Sequence, residues 1–404
     1  MKGEANMPAH VLYVGGEDND LRIPFILAMR DRGFRVTAAG SGDPEPFVRQ
    51  GIDYLPFPFD RFISPMSDLR ALRQLSAMLR DLKPDIAQGF DTKPCLFLPL
   101  AAGASGAGTQ VVRTICGRAW VYSSRTPLAL TARPVYRTLH RLAARSTAAT
   151  VFEIEDDRDF FRSNGMDGRR GLVIPAGGGG VDVEGFERAL ANLPSREALR
   201  EELGLGDAEV VVTVTRMTRQ KGIPALLKAA AIVNRARPGV RFVLVGPRES
   251  EGPLAVTEAE IAAHAPYVVA IGARRDVPAL LRMSDVFAFP TEYREGVARV
   301  LLEASLARLP IVSSAMPGCR EVIRDGWNGL LTPPGEPEKL AAGILRLLED
   351  RETAAAMAEH ADALTRKRFS LEAIADRHAT LYESILQDRR EGLAPLAAAD
   401  GPRA

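Results

Sequence analysis

Short β-rich runs alternate with helical patterns along most of the chain, and they do so in two series. That rhythm reads as βαβ units, whose strands lie parallel because a helix-length crossover separates each from the next. In the first half, strands are expected at HVLYVG (10–15), FRVTAAG (34–40), DIAQGF (85–90), QVVRTI (110–115), ATVFE (149–153) and GLVIP (171–175). Helices are expected near 20–32, 65–82, 126–144 and 155–163. The second half offers EVVVTV (209–214), VRFVLVG (240–246), YVVAIG (267–272), VFAFP (286–290) and PIVSS (310–314), with helices near 222–236, 276–283, 296–307, 336–348 and 353–368. At 404 residues the chain exceeds what one hydrophobic core supports, so two domains are expected. The expected fold class is α/β, with two Rossmann-like domains facing across a cleft at the carboxyl ends of their strands. The expected boundaries are 1–195 for the first domain, 196–370 for the second, 371–387 for a helix crossing back to the first, and 388–404 for a disordered tail.

Composition excludes several classes. Apolar residues at 46% and charged residues at 25% are ordinary for a soluble globular chain. Cys95, Cys116 and Cys319 are too few and too scattered for a disulfide framework or a metal cluster. The start, MKGEANMPAH, lacks the apolar run of a signal peptide, and the longest apolar stretch, PCLFLPLAAGASGAG, is short and interrupted by Pro99. The expected location is therefore the cytoplasm. GASGAG (103–108) follows a helix-like segment rather than a strand, which removes a nicotinamide fingerprint.

The stretch REGVARVLLEAS (294–305) follows the strand VFAFP and carries Glu295 and Glu303 with helical periodicity between them. Glycine at 296 permits close approach of a ligand, and a helix start offers free N–H groups and a positive dipole end to an anion such as a diphosphate. Eight residues of helix rise about 12 Å, a span that brackets an extended ligand. Against this stands the ordinary reading, in which one glutamate favours the helix dipole and the other sits on a solvated face. The apolar surroundings of Glu303 favour a buried carboxylate that needs a partner, such as a ribose diol. Upstream, TVTRMTRQKGI (213–223) places Arg216 and Lys221 after a strand and before a helix, where cations suit a pyrophosphate.

These pieces together, RMTRQKG, LVG and PTEYREGVARVLLEASLARLPIVSSAMPGCREVIRDGWNGLLTPPG, resemble the retaining nucleotide-sugar glycosyltransferases of family 4, which have the GT-B fold. The resemblance is dense over 205–350 and is similar in particular to bacterial enzymes acting on undecaprenyl-diphosphate-linked or exopolysaccharide glycans. It implies transfer of a hexose or N-acetylhexosamine from a nucleotide sugar, UDP-linked, to a hydroxyl of a lipid-linked or growing glycan. It further implies that Arg216 and Lys221 hold the donor diphosphate, Glu295 contacts the sugar, Glu303 the ribose, and Gly296 and Val297 offer N–H groups. No metal or other cofactor is required in this reading, because the cations take a metal's place. The role of PGCRE, with Arg320 and Glu321, reads as a helix start that closes the wall of the site.

In the first half, YVGGEDND supplies Gly15 and Gly16 where the family's glycine turn approaches the donor phosphates. Relatives carry histidines in a PDxxHxHxPK-like run; this chain has PDIAQGFDTKP, with Gln88 and Phe90 in their places and Lys93 as the trailing cation. TICGRAWVYSS resembles the acceptor loop, with Arg118 facing an acceptor phosphate. No Asp or Glu occurs between Asp91 and Glu153, an interval that includes Arg133, Arg137, Arg141 and Arg145 at every fourth position. Two readings of that stripe stand side by side: a surface for anionic lipid headgroups on the inner face of the plasma membrane, or pairing with acids such as EIEDDRD (153–159). Nucleic acid is not expected as a partner, since no aromatic platform or recognition motif accompanies the charge. The rivals to transfer are a sugar-nucleotide epimerase or hydrolase on the same fold, and a non-catalytic scaffold.

Overall fold

The computed structural model describes residues 8–57, 59, 64–123 and 126–392. The chain divides into two compact units, 1–180 with 371–404, and 181–370.

The first unit is built on seven parallel strands: β1 His10–Gly15, β2 Arg35–Gly40, β3 Asp53–Pro56, β4 Ile86–Gly89, β5 Gln110–Ile115, β6 Ala149–Phe152 and β7 Gly171–Val173. Their order is β3-β2-β1-β4-β5-β6-β7. The central strands are buried along their whole length because helices cover both faces, and so they read as unbroken apolar runs rather than alternating ones. The short strand DYLP of β3 was not expected; with half-exposed residues it carries little apolar signal. The helix Leu371–Arg390 packs in this unit. His378 meets Phe25 edge-on at 4.9 Å, Arg32 pairs with Asp376, and the Tyr382 hydroxyl donates to Gln88.

The second unit carries six parallel strands, β8 Glu209–Val214, β9 Val240–Val245, β10 Val268–Ala270, β11 Val286–Phe289, β12 Ile311–Ser314 and β13 Leu330–Thr332, in the order β10-β9-β8-β11-β12-β13. Valine, isoleucine and phenylalanine fill these strands and pack under the helices Ile223–Ala236 and Pro337–Glu349. In each sheet the strand order reverses once, between β1 and β4 and between β8 and β11. A crevice outside the carboxyl ends of the strands opens at such a reversal.

Two boundaries differ from those expected. The helices Val183–Asn192 and Arg196–Glu202, capped by Asp182 and Ser195, belong to the second unit, which moves its start from 196 to 181. Asp285 explains the attachment of the second of these helices. It accepts from the Val210 N–H of β8 and pairs with Arg196 and Arg200. At the other end, the helix of 371 onward runs to Arg390, three residues into the expected tail, and 393–404 lie outside the described residues.

Candidate functional site

At the β8/β11 reversal two loops meet. The first, 215–222, leaves β8 and ends in a single 3-10 turn, Arg219–Lys221, capped by the Thr218 hydroxyl, which accepts from the Lys221 N–H. Gly222 then turns with φ of 72°, and a Cβ there would lie 1.8 Å from the Pro290 carbonyl oxygen, so only glycine lets this loop press against the end of β11. Glu292 donates its N–H to the Gln220 carbonyl, which ties the second loop to the first.

This closure brings two of the expected residues into contact. The Lys221 ammonium lies 2.7 Å from each carboxylate oxygen of Glu295, and the Thr291 hydroxyl donates to the same carboxylate at 3.2 Å. Lys221 is buried, with only 8% of its side chain exposed against 24% for Glu295. Its charge also faces the Tyr293 and Phe289 rings, 5.5 and 5.9 Å from their centroids. A buried ion pair of this kind costs about 3 kcal/mol or more to break from one side, because the remaining charge is stranded. Arg219, by contrast, turns outward to Glu260 at 2.8 Å, while Arg216 is exposed on the same loop.

The helix that was to start at Gly296 starts at Arg299, with Ala298 as its N-cap, so Glu295, Gly296 and Val297 lie on the loop before it. A helical rise therefore does not set the separation of Glu295 and Glu303. Gly318 in the following helix, Pro317–Val322, leaves room for this loop: a Cβ there would meet the Gly296 carbonyl oxygen at 1.9 Å and that of Glu295 at 2.7 Å. The PGCRE segment thus buttresses the loop that carries Glu295. Its Arg320 donates to the Ala315 carbonyl and Glu321 pairs with Arg368. Burial pushes the neighbouring Cys319 thiol up to about 12. Glu303 sits one turn into the helix Arg299–Leu306 and pairs with Arg299 at 3.1 Å; its burial raises the carboxyl above the usual range, and the arginine only partly offsets this.

Sequence reasoning missed Thr291, Gly222 and Gly318. Each was inside a motif that had been read for its charges, and the signal was the motif spacing itself.

At the β1/β4 reversal of the first unit, Gly15 closes β1 beside Gly40, and the Gly16 N–H donates to Asp91 at 2.9 Å. Arg22 reaches the same Asp91 at 3.4 Å, donates to the Gly178 carbonyl at 2.7 Å and stacks over Phe90. Gln88 is buried between Thr114 and Tyr382, a structural position. Lys93 pairs with Asp68 at 2.6 Å, and Arg118 with Asp156 and Asp157 at 2.6 and 2.7 Å. Two of the acids of EIEDDRD, Asp156 and Asp157, are thus met by Arg118, while Glu155 and Asp159 pair with Arg158 of the same segment. In the stripe, Arg133 donates to the Val121 carbonyl and Arg141 to that of Asn164. The side chain of Asp18, in the DND triplet, lies outside the described residues.

Two parallel Rossmann-like units, one with a cation and a carboxylate clamped at its strand reversal, define a glycosyltransferase of the GT-B fold. The chain belongs to family 4 of these enzymes. Residues 195–363 match the family described as "Glycosyl transferases group 1", and residues 25–177 match the "Glycosyl transferase 4-like domain". Among relatives, the N,N'-diacetylbacillosaminyl-diphospho-undecaprenol alpha-1,3-N-acetylgalactosaminyltransferase of Campylobacter jejuni is 25% identical over 381 residues, covering 93% of this chain and 98% of that one. The alpha-D-kanosaminyltransferase of Streptomyces kanamyceticus is 30% identical over 292 residues, 65% of this chain and 68% of that one. Among solved structures, Anabaena HepE in complex with UDP superposes with a TM-score of 0.75 at 21% identity, over 93% of this chain and 100% of that one.

Proposed function

We propose that the chain transfers a hexose or N-acetylhexosamine from a UDP-linked donor to a hydroxyl of an undecaprenyl-diphosphate-linked or growing surface glycan, with retention of configuration and without a metal. The observation that carries this reading is the Lys221–Glu295 pair at the β8/β11 reversal, with both carboxylate oxygens 2.7 Å from the ammonium. A diphosphate entering there shares the Lys221 charge with Glu295, and Arg216 adds a second cation from the same loop. These fixed charges stabilise the leaving group as negative charge builds on it. Glu295, held by Thr291 and Lys221, accepts hydroxyl protons of the donor sugar in hydrogen bonds; Gly296 and Val297 offer N–H groups beside it. The raised carboxyl of Glu303 is the partner of the ribose diol. With Gln88 and Phe90 where relatives carry histidines, the leaving phosphate itself accepts the acceptor's proton.

The acceptor assignment is supported by the undecaprenol-linked substrate in the name of the Campylobacter relative, and the UDP assignment by the nucleotide in the HepE complex. Among the described residues no helix is long and apolar enough to cross a membrane. A surface-bound enzyme working from the cytoplasmic face reaches such an acceptor. The test is a panel of nucleotide sugars incubated with a polyprenyl-diphosphate-linked acceptor in EDTA, with the product's anomeric configuration read by NMR. A retained anomer formed from a UDP-sugar is the expected result. Donor breakdown at the same rate without acceptor, or dependence on added Mg²⁺ or Mn²⁺, overturns it.

A further inference from the structure

Away from the two strand reversals, the first unit holds a cavity of about 200 Å³ at the amino ends of β5 and β6. Its lining includes Gly103, Thr109, Gln110, Arg145, Ser146 and Arg169. This is the edge of the sheet opposite the β1/β4 reversal, because β5 runs from Gln110 to Ile115, five steps of about 3.3 Å, before it reaches the carboxyl edge. Small residues keep the hollow open. A Cβ on Gly103 would meet the Ser146 hydroxyl at 2.7 Å, and Gly108 turns the chain toward β5 with φ of 71°. The Thr109 hydroxyl is shut off from solvent and has no hydrogen-bond partner, a state that buried polar groups rarely keep.

Charge says what fills it. Arg145 and Arg169 are exposed, and among the described residues neither side chain has an ion pair or a hydrogen bond. Their neighbours are engaged: Arg141 donates to the Asn164 carbonyl, Arg162 pairs with Asp167 and Arg170 with Asp388. An arginine in the last turn of a helix ordinarily serves the end carbonyls. Here those have other donors. The Ser146 N–H and the Thr147 hydroxyl reach the Ala143 carbonyl, the Thr147 N–H reaches that of Ala144, and on the helix Thr92–Ser105 the Ser105 hydroxyl reaches that of Ala102. Asp85, whose carbonyl accepts from the Gln110 N–H, has its carboxylate taken by the His10 N–H and by Arg389. The two helix ends contribute roughly half a negative charge each, against two full positive ones. Two free guanidinium forks and two hydroxyls, with no carboxylate in the lining, match the oxygens of a phosphate. The volume is several times the roughly 30 Å³ of a water, which leaves room for a small polar body on that phosphate. We propose that this cavity binds a small soluble phosphate monoester through Arg145, Arg169 and the hydroxyls of Thr109 and Ser146. The site is separate from the loops that carry Lys221, and it stands whether or not the transfer reaction above does.

The experiment is calorimetry on the full chain with inorganic phosphate and glucose 6-phosphate as probes, with and without saturating UDP, in a buffer free of other oxyanions. Wild type is expected to give a saturable heat with glucose 6-phosphate that UDP leaves unchanged, and inorganic phosphate is expected to compete for it. Arg145→Gln/Arg169→Gln, at exposed positions that leave the melt unchanged, is expected to weaken probe binding by at least about tenfold and to keep the UDP heat. Thr109→Val is expected to weaken it by about threefold or more. A wild type that gives no probe heat overturns the proposal, as does either variant binding the probes like wild type. So does a probe heat that UDP abolishes, since the anion then sat in the donor site. Probe binding by a wild type that gives no heat with UDP would instead sink the donor assignment, and the variants would still decide this site.

Discussion

Gly318→Ala is the substitution for which the structure gives the sharpest expectation, although the residue has no side chain and touches no substrate. An added Cβ would lie 1.9 Å from the Gly296 carbonyl oxygen, where ordinary contact begins at 3.4 Å. The helix behind it cannot retreat, since Cys319 and Val322 are each only 1% exposed. The loop must therefore yield by about 1.5 Å, and Glu295 moves with it. A shift of that size opens the 2.7 Å contact with Lys221 past the 4 Å reach of an ion pair. Overpacking at about 1 kcal/mol and the broken pair at about 3 kcal/mol together cost about 4 kcal/mol, which lowers the melting temperature of a unit this size by roughly 8–16 °C. The chemistry suffers more, because misplacing a positioning group by about 1 Å costs on the order of a hundredfold. Donor turnover and a thermal melt on the same preparation decide the matter. Wild-type turnover with an unchanged melt would refute the buttress.

Other outcomes follow from the same geometry. Glu295→Gln removes the competitor for the Lys221 charge, so UDP should bind as tightly as in wild type or up to about tenfold tighter, while transfer falls by at least about a hundredfold; calorimetry showing weakened UDP binding would contradict the sharing of Lys221. His378 is buried in the first unit, and burial draws its pKa down to about 4. The folded unit refuses a proton that the unfolded chain accepts at 6.5, so its stability is expected to fall by up to ~3 kcal/mol as pH drops from 6.5 toward 4. His378→Leu should reduce that fall in urea titrations at the two ends of the range, leaving the part owed to His140, whose pKa burial also lowers, and an identical pH dependence in both proteins would count against the assignment.

Much of the fold was legible because parallel strands buried on both faces announce themselves as apolar, β-branched runs. EVVVTV and HVLYVG coincide with β8 and β1 residue for residue. What was hidden depended on distant partners. Nothing near Gly296 says that the chain stays irregular until Ala298, packed closely against Gly318 of another helix. The caps Asp182 and Ser195 mark helix starts locally, but the sheet that receives those helices is settled by contacts such as Arg196 with Asp285. Charged motif positions pointed to the loops of the β8/β11 reversal, and there Lys221 and Glu295 do meet. The same reasoning placed Arg118 toward a phosphate, where the structure gives it to Asp156 and Asp157, two acids visible in the sequence but not visibly near. On the helix Pro127–Arg145 the periodicity was plain, yet which of two adjacent apolar stripes faces inward required the coordinates.

The central claim is that a nucleotide diphosphate docks on the buried ammonium of Lys221. Titrating UDP into wild type and Lys221→Met, each shown by melting to be folded, tests it most directly. Wild type should give a saturable heat and Lys221→Met should bind at least about thirtyfold more weakly, as expected when a buried charged contact is removed. Equal affinity in the two proteins would contradict the account.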